Sequence, residues 1–98
     1  MPVRHVVMFR WADGLDDDHV RRVRDGLDAL PAQIEQIRSY VHGHDLGVTD
    51  GNFDYVLVAD FDSVDDFLVY RTHPVHVQFI EDVITGNTAE RAAVQYAT

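Results

Sequence analysis

The sequence predicts an α+β fold in the order β-α-β-β-α-β, with four strands in one antiparallel sheet and the helices on one of its faces. Two segments, Val3 to Trp11 and Phe53 to Phe61, alternate residue by residue as half-buried strands do. Two others carry apolar residues three and four positions apart behind capping residues, the pattern of amphipathic helices. Two turn-bounded stretches, Arg38 to Leu46 and Thr88 to Tyr96, supply the remaining strands.

The first strand places Val3, His5, Val7, Phe9 and Trp11 on one face and Arg4, Val6, Met8 and Arg10 on the other. After a turn at Gly14, the acidic run Asp16, Asp17, Asp18 suits an N-cap and first helical turn, where the helix dipole favours negative charge. Val20, Val23, Leu27 and Leu30 form the stripe of that helix. Gly26 within it costs about 1 kcal/mol relative to Ala. Pro31 ends the helix, and Ala32 to Ile37 can add a further turn. The second strand contains Gly43, a candidate bulge. The stretch from Gly47 to Asn52 is dense in turn residues, and Asp50-Gly51 is a hairpin signal. In the third strand Phe53, Tyr55, Leu57, Ala59 and Phe61 share one face, and Asp54, Val56, Val58 and Asp60 the other. Ser63 then resembles an N-cap. The helix it starts runs to about Arg71, breaks, and restarts with Pro74 at its first position, with Val77, Ile80 and Ile84 as its stripe and Gly86 as its end. This order is the ferredoxin-like split βαβ unit, and all 98 residues read as one domain.

Composition narrows the chemistry. At 46% hydrophobic and 26% charged residues the chain has enough apolar material for a packed core. It has no cysteine, which removes thiol nucleophiles and Cys-ligated metal centres. All eight basic residues are arginine, so Schiff-base chemistry on a lysine is excluded. A net charge of −9 repels nucleic acid and anionic membranes, so neither is an expected partner. The first residues lack a signal-peptide core, and no apolar run reaches spanning length; a soluble cytoplasmic protein is expected.

The sheet face away from the helices should be wetted and polar. Its central positions are instead Val6, Met8, Val56 and Val58, with Arg4, Arg10, Asp54 and Asp60 at the strand ends. An apolar patch inside a charged rim is an interface pattern, so a second copy of the chain is expected there, sheet on sheet. The alternative is that these are ordinary surface strand valines.

Histidine is the chemical resource, with six in the chain. The densest cluster is Tyr70-Arg71-Thr72-His73-Pro74-Val75-His76. The proline break lets Tyr70 and His76 face one space beneath the helices, and His5 and Tyr55 share the parity of the helix-facing residues on their strands. All four are expected to converge there. A histidine against an apolar wall titrates near neutrality and serves as a general base, and a tyrosine beside it donates to an oxygen becoming an enolate. That pairing suits proton abstraction next to a carbonyl and needs no metal or cofactor. The plainer alternative is that His73 caps a helix and Tyr70 satisfies a backbone group. His42 and His44 share a strand face and could chelate a metal, but lack a third ligand; a solvated strand end is the expected reading. Asp13 and Asp16 to Asp18 lack a calcium-loop pattern, and no phosphate loop, nucleophile elbow or dinucleotide fingerprint occurs.

The start Val-Arg-His-Val-Val-Met-Phe-Arg-Trp, the strand Asp-Tyr-Val-Leu-Val-Ala-Asp-Phe, the helix Ser-Val-Asp-Asp-Phe-Leu-Val-Tyr and the motif His-Pro-Val-His-Val together resemble the Dabb family, the stress-responsive dimeric α+β barrel proteins. The resemblance spans essentially the whole chain. It implies a ferredoxin-like protomer whose sheet pairs with a partner's. Through the family's plant polyketide cyclases, cofactor-free lyase-type enzymes that close a linear polyketide by aldol condensation, it also implies His76 as base and Tyr70 as oxygen-binding partner. By the same carry-over His5 and His73 fall at pocket positions. Tyr55 stands where those cyclases have a further histidine, and Leu27 where they have an aromatic residue. Arg24 falls on a helix that would be apolar if it lined a long alkyl tunnel. The functions implied are thus a cofactor-free acid–base catalyst with a small apolar or carbonyl ligand, or a non-catalytic stress-responsive binding protein. A monooxygenase of the wider barrel superfamily is the remote third.

Overall fold

A computed structural model describes residues 1–98. Its elements are β1 (Val3–Trp11), α1 (Asp17–Ala29), β2 (Ser39–His44), β3 (Tyr55–Phe61), α2 (Val64–Thr72), α3 (Pro74–Phe79), a π-helical turn at Ile80–Ile84, and β4 (Thr88–Ala97). The strands form one antiparallel sheet in the order β2-β3-β1-β4, the ferredoxin-like arrangement that the alternation in β1 and β3 predicts. The register matches the alternation: His5 pairs with Ala59 and Val7 with Leu57, so the helix-facing residues of both strands fall together and are buried beneath the helices.

Local chemistry sets the helix ends. The Asp16 carboxylate accepts from the His19 backbone N–H at 3.1 Å, and Ser63 Oγ accepts from Asp66 N–H at 3.1 Å. In α1 the buried stripe is His19, Val23 and Leu27, with Val20 only half-buried. Gly26 has a packing reason: a Cβ there would stand 2.6 Å from Phe79 Cδ1, so only glycine lets the Phe79 ring lie against α1.

Four expectations are corrected. β2 is shorter than Arg38–Leu46, and Leu46 is 83% exposed. Gly43 is not a bulge, since the β2–β3 register runs through it unbroken; the irregularity lies between Arg10 and Trp11 against β4. β3 begins at Tyr55, because Phe53 turns away to lie under the Arg10 guanidinium, 4.5 Å from the ring centre. The last helical stretch buries Phe79, Val83 and Ile84 and leaves Val77 39% exposed. There the Thr85 N–H bonds back to the Ile80 carbonyl at 2.8 Å, a five-residue step that widens the turn and rotates the stripe away from regular spacing.

The face of the sheet away from the helices is apolar across its full width. The registers set Val41, Val58, Val6 and Val94 side by side over all four strands, and Gly43, Val56, Met8 and Ala92 in the adjacent row. Val41 and Val94 are 58% and 55% exposed. At the border Arg4 grips Asp60 with two hydrogen bonds of 2.8 and 3.1 Å, holding that carboxyl below its usual range. No helix is long and apolar enough to cross a membrane.

Candidate functional site

The helices cover β2, β3 and β1 but leave the β4 margin of the sheet open. A cleft of about 740 Å³ lies there, between α2 and α3 above and β1 and β4 below. Mostly apolar, it includes Phe9, Leu27, Leu57, Phe67 and Phe79, the common composition of a small-molecule site. Its polar groups are few: His5, Tyr70, His76, Gln95, Arg71, Arg91 and Glu81.

Three of the four residues expected to converge do so. His5 is on β1, facing the helices; Tyr70 is on the last turn of α2; His76 is on the first turn of α3. The Pro74 break folds α3 back, bringing the Tyr70 and His76 ring centres to 4.2 Å, and Tyr70 to 6.5 Å from His5. His76 Nδ1 lies 3.1 Å from the Arg71 carbonyl oxygen. A carbonyl can only accept, so Nδ1 carries the hydrogen and, in the neutral ring, Nε2 holds the free lone pair. Burial lowers the His76 pKa, which favours this neutral form. His5 is lowered to about 4, first by burial and then by the charges of Arg91 and His76, and its Nδ1 is 2.8 Å from the Gln95 amide. Tyr70 is raised to about 12 by burial, opposed by its hydrogen bond with Tyr40 and by Arg91.

Leu27 lines the cleft. Tyr55 and His73 do not. Tyr55 shares the helix-facing parity of β3 but lies toward β2, where its hydroxyl is 2.7 Å from His42 Nδ1. His73 is the cap of α3, its Nδ1 accepting from Val75 N–H at 3.1 Å. His42 is no solvated strand end: its side chain is only 6% exposed, and Nε2–H donates to Asp28 Oδ1 at 2.8 Å. The chain Asp28–His42–Tyr55 therefore ties β2 to α1 and β3. His44 is exposed. No three histidine or carboxylate side chains gather closely enough to hold a metal ion.

The sequence pattern does not single out Tyr40, Arg91 or Gln95, which carry no motif. The Tyr40 and Tyr70 hydroxyls are 2.7 Å apart, and burial raises the Tyr40 pKa too. Arg91, Ala93 and Gln95 face the cleft because they pair with Phe9, Val7 and His5 on β1. Only that register, with alternate residues on one face, reveals them.

Fold and cleft together define a ferredoxin-like α+β protein with an open, histidine-bearing pocket beneath its helices. The chain belongs to the Dabb family, the stress responsive A/B barrel domain, whose profile matches residues 3–98. It is 25% identical over 80 residues to the stress-response A/B barrel domain-containing protein HS1 of Arabidopsis thaliana, covering 80% of this chain and 73% of that one. A dimeric ferredoxin-like protein of unknown function from Thermobifida fusca superposes with a TM-score of 0.93 at 41% identity, over 100% of this chain and 92% of the other. The hydroxynitrile lyase of Passiflora edulis superposes with a TM-score of 0.85 at 21% identity, over 97% and 91%, a likeness of fold alone.

Proposed function

We propose that the chain is a homodimer whose cleft binds a small carbonyl-bearing ligand and catalyses proton abstraction next to that carbonyl, without a cofactor. His76 Nε2 is the general base and the Tyr70 hydroxyl donates to the carbonyl oxygen as negative charge develops on it. The observation that carries this is the Arg71 carbonyl on His76 Nδ1, which leaves a lone pair on Nε2 beside Tyr70 in a mostly apolar cleft. If Tyr40 donates to Tyr70, the Tyr70 proton remains available to a ligand. His5 completes the wall, while His73 acts from behind by starting α3 and so aiming His76. The natural reaction class is an aldol-type ring closure of a polyketide-like or other β-dicarbonyl chain. The Passiflora protein is itself a lyase on this fold.

The dimer is supported by the unbroken apolar band on the outer sheet face, which includes Val6, Met8, Val56 and Val58, and by the dimeric Thermobifida protein. One observation favours a second reading, a non-catalytic binding protein: the Tyr70 hydroxyl is already engaged by Tyr40.

The test is a panel of 3,5,7-trioxo thioesters, in which C2 can add to the C7 carbonyl to close a six-membered ring, with ring closure followed by absorbance. The parent is expected to accelerate closure of at least one, and His76→Gln and Tyr70→Phe to reduce that rate by about 10² or more with the circular dichroism spectrum unchanged. Equal rates in parent and variants overturn the catalytic reading; stoichiometric binding without turnover selects the second one.

A further inference from the structure

Arg91 is an uncommitted cation in an acidic protein. The chain has 17 acidic residues against eight arginines, and Arg4, Arg10, Arg21 and Arg38 each sit within 4.0 Å of a carboxylate. Arg91 has no such partner and makes no side-chain hydrogen bond, although it borders the cleft. Arg71, also bordering it, is likewise free at its guanidinium, and Glu81 is the one acidic residue along the lining. The cleft thus carries a local excess of positive charge within a chain of net charge −9.

The backbone explains the placement. Arg91, Ala93 and Gln95 alternate onto the cleft face of β4, and the small Ala93 leaves open floor between the two longer side chains. The Gln95 amide is held by His5, so the guanidinium is the group left for a ligand. Its charge is felt at His5, Tyr70 and His76 alike, which puts it in the same electrostatic space as the proposed acid–base pair.

We infer that Arg91 anchors a carboxylate, so that the cleft selects ligands carrying one carboxylate at the end that reaches the β4 margin. A guanidinium matches the two oxygens of a carboxylate with two parallel hydrogen bonds. A dianionic phosphate suits the place less well, because Glu81 and the acidic surroundings oppose a second charge. This rests on the reading of the cleft as a ligand site and not on turnover; it deepens that reading to keto acids and aromatic acids.

The experiment titrates the protein with 2-naphthoate and with 2-naphthamide, its uncharged counterpart of the same shape, reading backbone amide shifts by NMR. Naphthoate is expected to bind at least tenfold more tightly, to shift the amides of Ala93 and Gln95, and to lose its advantage as salt is raised. Arg91→Gln is expected to equalise the two ligands, while Arg24→Gln, a change at a surface arginine outside the cleft, keeps the preference. Equal binding of both compounds to the parent, or a preference that survives Arg91→Gln, overturns the carboxylate assignment and leaves the cleft standing. Failure of both compounds to shift the cleft amides overturns the ligand-site reading and this inference with it.

Discussion

At His76 one backbone carbonyl decides which nitrogen is the base. Because the Arg71 oxygen takes the Nδ1 hydrogen, Nε2 is the basic atom, and burial keeps it unprotonated below the ordinary histidine range. Activity through this group is therefore expected to persist below pH 6.5 and to fall only on a more acidic limb, measured as the pH profile of ring closure. His5 makes the complementary prediction for stability. It is neutral in the fold with a pKa of about 4, against the ordinary histidine value of 6.5. Between those values the unfolded chain binds the extra proton, so this contribution is whole above about pH 6.5 and is lost as pH falls toward 4. Urea midpoints should drop less over that window in His5→Gln than in the parent; identical slopes would contradict the assignment. His5, Tyr70 and His76 were legible in the sequence, through strand parity and the proline break. Tyr40, Arg91 and Gln95 were not, because each acquires its place from a partner strand and not from its own neighbours.

Among the elements, α3 and its π-helical turn do the most to shape the cleft. Phe79, on that stretch, lies against Gly26 of α1 and also lines the cleft, so one glycine sets how far the two helices stand apart. Gly26→Ala would gain about 1 kcal/mol of helix propensity. The added methyl would drive the Phe79 ring aside, and overpacking of this kind costs about 1–3 kcal/mol. The expected net result is a lower melting temperature with Phe79 displaced into the cleft, read by calorimetry and by weakened naphthoate binding; a rise in melting temperature would refute it. His73→Ala removes the cap of α3, with an expected loss of about 0.5–2 kcal/mol by urea unfolding. If His73 were a catalytic residue and not a positioning one, the variant would lose rate without losing stability. The capped starts of α1 and α2 and the strands β1 and β3 follow from local sequence. The rotated stripe of Phe79, Val83 and Ile84 does not, since a widened turn leaves no mark on three- and four-residue spacing.

For the molecule as a whole, one sheet separates two apolar regions of different fate. The helices and the cleft occupy one side; on the other, Val41, Val58, Val6 and Val94 form a band with nothing of the chain's own to cover it. Half of that band was visible in the sequence. Val41 and Val94 were missed because β2 and β4 alternate poorly: β2 contains Gly43, and β4 is rich in alanine. A charge introduced at the centre of the band, Val6→Asp, is expected to yield a folded protomer of 11.2 kDa. The account turns on that band meeting its like in a second chain, and sedimentation equilibrium of the unmodified protein at low micromolar concentration tests it most directly. A mass twice that of the 11.2 kDa chain is the predicted result, and a single-chain mass, with the amides of Val6 and Val58 unaffected by dilution, would contradict it.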